Sequence, residues 1–464
     1  MRKRITSLFL VLALCLTMLP ATALAEDASP AGQEMQSSTD VSDGYTIDED
    51  TTLQDEEEND AAVQAAQALI DALPDEATAE NAEALETKLI AIDKALALLT
   101  DEQREKLDMT RYEALCEAMT TLTAEQVGEH SHPICGATCG HTDSTHPGVE
   151  WTAISNLSTI TAGTESAPNY YYLTKNIELT TEWNAPQYTV LDLNGYSITM
   201  QQEGDAIKVT GSFTLTDCKG TNGEYGKITH ATNTNGRGVN VSEGSTFTMY
   251  GGSIYGNTAS SDGGGIWADR KAVITMYGGE ISGNKTTGGD GGGVYLGINA
   301  KLEMSGSASI TENVTTKYSG GGVGAVMGKI TMSSNSSISK NTASDSSGGG
   351  VFLNGANSTL TMSDNAEIAN NKAKANAAGV YMLGDDSQFT MDGGSIYGNK
   401  FTGTGACSGG GVYVNGTFTM NDGSIYNNTA TESGGGVCSN GMFNMNGGNI
   451  YGNTATNGAG VYMY

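Results

Sequence analysis

Short runs of alternating apolar and polar residues, separated by glycine-rich segments, fill the chain from Tyr250 onward. Two consecutive runs are residues 412–414 (Val-Tyr-Val) and residues 418–420 (Phe-Thr-Met). A period of two with glycine between the runs predicts short β-strands joined by tight corners, three strands to each repeat. The chain has 62 glycines, which suit corners with positive φ and disfavour helices. The pattern therefore predicts a mainly β structure.

The pattern recurs eight times, at intervals of 25 to 30 residues. Each repeat contains one isoleucine at the same place, namely Ile254, Ile281, Ile310, Ile338, Ile368, Ile396, Ile425 and Ile450. Each also contains one asparagine three residues later, namely Asn257, Asn284, Asn313, Asn341, Asn371, Asn399, Asn428 and Asn453. A fixed register of this kind predicts a solenoid, in which each repeat buries its apolar side against its neighbours. We therefore predict a parallel β-helix with rungs about 4.8 Å apart.

Further apolar residues recur once per rung and should form columns in the core. The methionine column is predicted to contain Met249, Met276, Met304, Met332, Met362, Met391, Met420 and Met445, and the valine column Val294, Val323, Val351, Val380, Val412 and Val437. Alternation points the thioethers inward, so we expect them to fill the core and not to bind a soft metal. The asparagines form either a hydrogen-bonded ladder or simple turns, and both interpretations remain open.

The predicted β-helix covers residues 151–464. Its regular repeats span residues 242–464, while residues 151–241 keep the alternation without the glycine runs and are predicted to be the amino-terminal cap and first rungs. The sequence stops at Tyr464 in the middle of a repeat, which we interpret as a truncated reading frame.

Three segments precede the β-helix. Residues 1–25 have a basic start, an apolar stretch from Leu8 to Leu19 and an Ala-Leu-Ala end, as expected of a secretory signal peptide. Residues 26–60 lack Lys and Arg and are rich in acidic residues, so we predict a disordered acidic linker. Residues 61–122 carry a helical stripe of Leu85, Leu89, Ile92, Leu96 and Leu99, which predicts a small helical bundle that acts as a spacer.

The charge of the chain limits its partners. The net charge is −30, and phosphate binding needs a basic surface, so nucleic acid is not an expected partner. Once the signal peptide is removed we expect no membrane-spanning segment. The oligomeric state stays open.

Residues 123–150 form a segment rich in cysteine and histidine. Its candidate metal ligands are His130, His132, Cys135, Cys139, His141 and His146. Imidazole and thiolate are the ligands that zinc prefers, so a structural zinc ion is one interpretation. Because an exported chain meets an oxidising compartment, a disulfide between the two cysteines is another, and an unstructured polar linker is a third.

The glycine runs at residues 263–266, 291–295 and 409–413 are each followed by Thr-Met and then by Gly-Asn or Asn-Asn. They resemble the repeats of right-handed parallel β-helices of the pectin-lyase-like superfamily. More closely, they are similar to repeats of the polymorphic outer-membrane-protein type and to β-helical surface proteins of Gram-positive gut bacteria. The resemblance covers about residues 151–464 and implies a right-handed helix. That superfamily includes polysaccharide lyases and hydrolases as well as adhesins.

An enzymatic role would need a specific set of side chains. A glycosidase uses two carboxylates about 5 to 10 Å apart. Asp262 with Asp290, and Asp364 with Asp392, stand at equivalent corners of adjacent repeats and offer such pairs. These residues recur as part of the repeat, whereas catalytic sites interrupt a repeat, so we predict a protein that is not an enzyme. A carbohydrate-active enzyme remains the alternative.

An aromatic column is the candidate ligand site. The residues that follow the first inward Val or Ile of a rung are Trp267, Tyr295, Phe352, Tyr381, Tyr413 and Tyr462, interrupted by Gly324 and Cys438. Alternation should turn these rings to solvent, where they could stack on sugars or on a partner protein, or on one another. We therefore expect a secreted, surface-associated stalk that adheres to a glycan or to a host or bacterial surface protein.

Overall fold

The computed structural model describes residues 63–118, with gaps at 77, 79–80, 97–98, 100, 105 and 117, and residues 150–464 except 218–224 and 405–407. These residues fall into two compact units, a helical one before His130 and a β one after it. The predicted signal peptide, the acidic linker and all six candidate metal ligands lie outside the described residues.

The helical unit contains four helical segments among its described residues. They span 63–71 (α1), Ala82–Leu96 (α2), Asp101–Arg104 (α3) and 110–116 (α4). The predicted stripe of α2 is buried, with Leu85 and Ile92 each 1% exposed. Arg111 caps the carboxyl-terminal end of α1. Its guanidinium donates hydrogen bonds to the carbonyl oxygens of Asp71 and Leu73, at 3.3 and 3.2 Å. None of the helices in the described part of the chain is long and apolar enough to cross a lipid bilayer.

The β unit is a solenoid built from three sheets of parallel strands. We call the first the valine sheet; its strands are Trp183–Ala185, Ile207–Val209, Val239–Val241, Ile266–Ala268, Val294–Leu296, Val323–Val326, Val351–Asn354, Val380–Met382, Val412–Val414, Val437–Ser439 and Val461–Met463. The short sheet contains Thr258–Ala259, Lys285–Thr286, Val314–Thr315, Thr342–Ala343, Lys372–Ala373 and Lys400–Phe401.

The third, long sheet has two arms. The first arm contains Trp151–Ile154, Asn169–Leu173, Thr189–Asp192, Ser212–Thr216, Thr246–Met249, Val273–Met276, Lys301–Met304, Lys329–Met332, Thr359–Met362 and Met442–Met445. The second contains Ile177–Leu179, Ile198–Met200, Lys227–His230, Ser253–Tyr255, Glu280–Ser282, Ser309–Thr311, Ser337–Ser339, Glu367–Ala369 and Asn449–Tyr451. Two strands, Gln388–Tyr397 and Thr417–Tyr426, run through both arms. A short 3₁₀ helix, Leu157–Thr159, lies near the start of the unit.

The prediction of three strands per rung was wrong in detail. A regular rung has four short strands, because the long sheet contributes two of them and bends between its arms. The bend lies at the corner after each methionine, where a residue with positive φ recurs, as at Gly279, whose φ is 76°, and Ser334, whose φ is 55°.

Equivalent residues of neighbouring rungs pair directly, as the repeat predicts. Ile254 pairs with Ile281, and Met249 pairs with Met276. The valine column and seven of the eight predicted methionines are at most 1% exposed and belong to one continuous core. The eighth, Met445, was predicted to be buried but is 47% exposed, because among the described residues it is covered from one side, by the strand that contains Met420.

The glycine corner before each valine strand brings neighbouring rungs into close contact. Gly291 has a φ of 69°, which side chains rarely adopt. A Cβ on Gly292 would lie 2.5 Å from the carbonyl oxygen of Gly321 in the next rung. The glycine run therefore allows the backbones to stack at the spacing that the hydrogen bonds require.

The asparagines form a ladder, which resolves the question left open by the sequence. In the middle of the ladder, Asn313 donates from its backbone N–H and from Nδ2 to Oδ1 of Asn341, at 2.9 and 3.0 Å. Its Nδ2 also donates to the carbonyl oxygen of Ile281 at 2.9 Å. The same pattern links every rung from Asn257 to Asn453. The amides from Asn257 to Asn428 are completely buried, so the ladder satisfies polar groups that water does not reach.

Candidate functional site

The structure places the predicted aromatic residues in one column at the middle position of the valine sheet. In order along the sheet, this position holds Asn184, Lys208, Asn240, Trp267, Tyr295, Gly324, Phe352, Tyr381, Tyr413, Cys438 and Tyr462. We call Trp267, Tyr295, Phe352, Tyr381, Tyr413 and Tyr462 the aromatic column. The sequence correctly predicted that these residues share one face outside the main core.

The exposure of the column is lower than the alternation predicts. Phe352 is only 4% exposed and Tyr381 is 9% exposed, whereas the other rings are half-buried. Both rings belong to one buried cluster with Ala377, which lies in the corner before the strand Val380–Met382. The expectation of solvent-facing rings is therefore wrong for these two residues, because the corner folds back over the outer face of the sheet.

The faces of several rings in the column are already in contact with neighbouring groups. Phe352 stacks on Tyr381 with ring centroids 5.6 Å apart and an interplanar angle of 13°. Tyr381 contacts Tyr413 at 5.3 Å with a tilt of 57°. Rings stacked along the axis present their edges, and not their faces, to a ligand. Tyr295 has no ring next to it in the following rung, where its partner is Gly324. The corner at Asp290 covers that glycine, because a Cβ on Gly324 would lie 2.8 Å from the backbone nitrogen of Gly291 and 3.0 Å from Cβ of Asp290.

An arginine anchors the amino-terminal end of the column. The guanidinium of Arg237 lies over the ring of Trp267, with Cζ 5.3 Å from the ring centroid. Its Nε donates to the carbonyl oxygen of Asp262 at 2.8 Å, and one Nη donates to Ser261 Oγ at 2.7 Å. The other Nη forms an ion pair with Asp205 at 3.3 Å. All three nitrogens of the guanidinium are therefore committed to holding the corners of adjacent rungs together.

The predicted pair Asp262 and Asp290 lies beside Tyr295. Oδ1 of Asp262 accepts a hydrogen bond from the backbone N–H of Asp290 at 2.8 Å, so the two residues do occupy adjacent corners. Burial raises the pKa of Asp290 to about 6, and the charge of Asp262 adds to this, while a hydrogen bond from the Ser319 N–H opposes it. Burial, followed by the charges of Asp262, Asp290 and Asp269, raises the pKa of Tyr295 to about 12. Two neighbouring carboxyl groups, one of which has its pKa raised to about 6, are the components that an acid–base pair requires.

The second predicted pair has no such environment. Oδ2 of Asp364 accepts from the Ser334 N–H at 2.9 Å, and Oδ1 of Asp392 accepts from Asn421 Nδ2 at 2.7 Å. Each carboxylate therefore bridges to a neighbouring rung and stabilises a corner.

A second aromatic column, which the sequence pattern did not predict, lies on the long sheet. Tyr397, Tyr426 and Tyr451 follow the repeated isoleucine and stack at 5.0 and 5.1 Å, with interplanar angles of 8° and 3°. Tyr397 donates from its hydroxyl to Glu367 Oε2 at 3.1 Å. Burial, and then the charge of Glu367, raises the pKa of Tyr397. The recurring Ile-Tyr pair in the sequence is the signal that could have predicted this column.

The remaining candidate sites are separate from the aromatic column. Among the residues that the structure describes, no group of three or more His, Cys, Asp or Glu side chains could hold a metal ion. Cys438, for which the sequence made no prediction, is disulfide-bonded. An open cavity of about 640 Å³ lies at the first rungs and is lined by residues including Thr161, Asn169 and Tyr170.

Residues 189–396 match the family described as right handed beta helix region. This protein contains a right-handed parallel β-helix. The matched part of the β-helix includes Asp262, Asp290 and the aromatic column from Trp267 to Tyr381. No curated protein and no solved structure matches the chain.

Proposed function

We propose that the protein is an exported, non-catalytic stalk that presents the repetitive surface of its β-helix for adhesion to a glycan or to a surface protein of a host or of another bacterium. The observation that carries this proposal is the in-register aromatic column on the valine sheet. Because each rung repeats the same outer position, one kind of contact recurs along the axis. Several weak contacts of this kind can add up to stable attachment.

The burial of the rings suggests how the column would bind. Half-buried tyrosines that stack on their neighbours are held rigidly, so little side-chain entropy is lost on binding. Their edges and hydroxyl groups would contact the ligand. The basic and apolar pattern of residues 1–25 supports export.

Binding by variants of the full mature chain tests the proposal. Tyr295→Ala with Tyr413→Ala removes two half-buried rings from the column, and Tyr426→Ala removes a stacked tyrosine from the other column as the matched control. We expect the double variant to lose most binding on a glycan array or to host cells, and the control to keep it. Unchanged binding by the double variant with a native circular dichroism spectrum would exclude the column as the ligand site.

The raised pKa of Asp290 favours a second candidate function, a carbohydrate-active enzyme. Protonated Asp290 would act as the general acid and the carboxylate of Asp262 as the base or nucleophile. Hydrolase and lyase assays with a panel of polysaccharides, on the wild type and on Asp290→Asn, test this function. Turnover that is lost in Asp290→Asn would contradict a purely adhesive role.

A further inference from the structure

The asparagine ladder has a direction, which leaves its first member in a special position. Each asparagine donates towards the following rung, and its Oδ1 accepts two hydrogen bonds from the asparagine of the preceding rung. Asn257 is the first member, so no asparagine precedes it. Its side chain is completely buried, and its Oδ1 therefore needs a donor of another kind.

His230 supplies this donor. The residue ends the strand Lys227–His230 in the preceding rung, and its Nδ1 lies 2.7 Å from Oδ1 of Asn257. On the other side of the ring, Nε2 lies 2.8 Å from the carbonyl oxygen of Gly204. A Cβ on Gly236 would lie 2.6 Å from Nε2, so the backbone packs closely against the ring. The imidazole is therefore held between two oxygen atoms.

The orientation of the Asn257 amide is fixed by the ladder. Its Nδ2 donates one hydrogen to Oδ1 of Asn284 at 2.9 Å and the other to the carbonyl oxygen of Ile228 at 3.1 Å. Rotating the amide would direct its oxygen at both of these acceptors. The atom that faces His230 is therefore an acceptor, as is the Gly204 carbonyl.

Both ring nitrogens of His230 consequently face acceptors. A neutral imidazole donates from one nitrogen only, and its second nitrogen would then direct a lone pair at an oxygen less than 3 Å away. The imidazolium form donates from both nitrogens and satisfies both contacts.

We propose that His230 is a proton-dependent cap of the asparagine ladder. In its protonated form the ring joins the Gly204 corner to the first asparagine and completes the hydrogen bonding of the first regular rung. Loss of the proton breaks one of the two bonds and loosens the contact between these rungs. Acidification therefore tightens the amino-terminal end of the regular repeat.

Other titratable groups lie on the segments that pack against the ring. Glu203 and Asp205 flank Gly204, and Glu203 accepts from Asn235 at 3.4 Å. The carboxylate of Asp205 is paired with Arg237 and accepts from Asn240 at 2.8 Å.

Nitrogen NMR of the full chain labelled in its histidines tests the proposal directly. The signals of His230 are identified by their disappearance in His230→Gln, or in His230→Asn should the first variant fail to fold. We expect both ring nitrogens of His230 to carry protons at pH 5.5, because each of them faces an oxygen acceptor. A single neutral tautomer for His230 at this pH would overturn the proposal.

Hydrogen exchange measures the structural consequence. After correction for the intrinsic rates, we expect the peptide around residues 253–259 to be at least about threefold better protected at pH 5.5 than at pH 8 in the wild type. His230→Gln should lose this difference, and Asp386→Asn, which changes an exposed position in a later rung, should keep it. Equal protection at both pH values in the wild type would also refute the cap.

Discussion

Replacing Asp290 with asparagine should make the protein more stable at neutral pH. The carboxyl group is buried beside Asp262, and its pKa rises from an ordinary 3.8 to about 6 in the folded chain. The folded state therefore holds this proton more tightly than the unfolded state does. Stability from this group is present at low pH, falls as the pH rises from about 4 to about 6, and is fully lost above that.

The expected change in the free energy of unfolding follows from the pKa shift of Asp290. One unit of pKa corresponds to about 1.4 kcal/mol, so a shift of about two units sets an upper limit of about 3 kcal/mol. Because the group is not fully enclosed, we expect about 1 to 3 kcal/mol. Asparagine has nearly the same shape, and its Oδ1 can still accept from the Ser319 N–H, which lies 2.7 Å from the native oxygen.

Urea unfolding of the full chain at two pH values checks this prediction. At pH 7.5 the free energy of unfolding of Asp290→Asn should exceed that of the wild type by about 1 to 3 kcal/mol, and at pH 4 the difference should shrink. Asp386→Asn, at an exposed position, serves as the control and should change little. An Asp290→Asn protein that is destabilised equally at both pH values would show that the carboxylate is needed for structure and that burial does not penalise it.

Three further results are expected. Asn341→Ala should cost about 3 to 5 kcal/mol in chemical denaturation, because it leaves buried partners in the ladder without hydrogen bonds; a cost below about 1 kcal/mol would contradict the importance of the ladder. Met332→Ala should cost about 2 to 5 kcal/mol by opening a cavity, whereas Met445→Ala, at an exposed position, should cost less than about 1 kcal/mol; equal effects would argue against a shared core. Metal analysis by mass spectrometry together with a thiol titration should find either one zinc ion or a disulfide at Cys135 and Cys139, and free thiols without metal would leave only the polar linker.

The periodicity of the sequence determined the parallel stacking of the rungs. In a parallel solenoid, equivalent residues of successive repeats lie directly above one another. The positions of Ile281, Asn313 and Met332 in the sequence therefore specify both the register and the members of the core columns. The same reasoning placed the aromatic column on one face and the pair Asp262 and Asp290 at adjacent corners.

Only the tertiary structure decided which outward positions are covered. Alternation tells which side of a strand a residue occupies, but the path of the corners decides whether that side meets water, and this path depends on contacts between rungs. The corner at Ala377 therefore buries Phe352, and the enclosed corner at Asp290 raises the pKa of its carboxyl group.

The sequence pattern also did not predict the contacts at the ends of the repeat. A repeat predicts what its interior members do, because each has a neighbour on both sides. His230 lies outside the register of the asparagines, and the sequence gives no sign that it closes their ladder. That contact exists because a buried amide oxygen at the first rung requires a donor, which only the folded chain brings within reach.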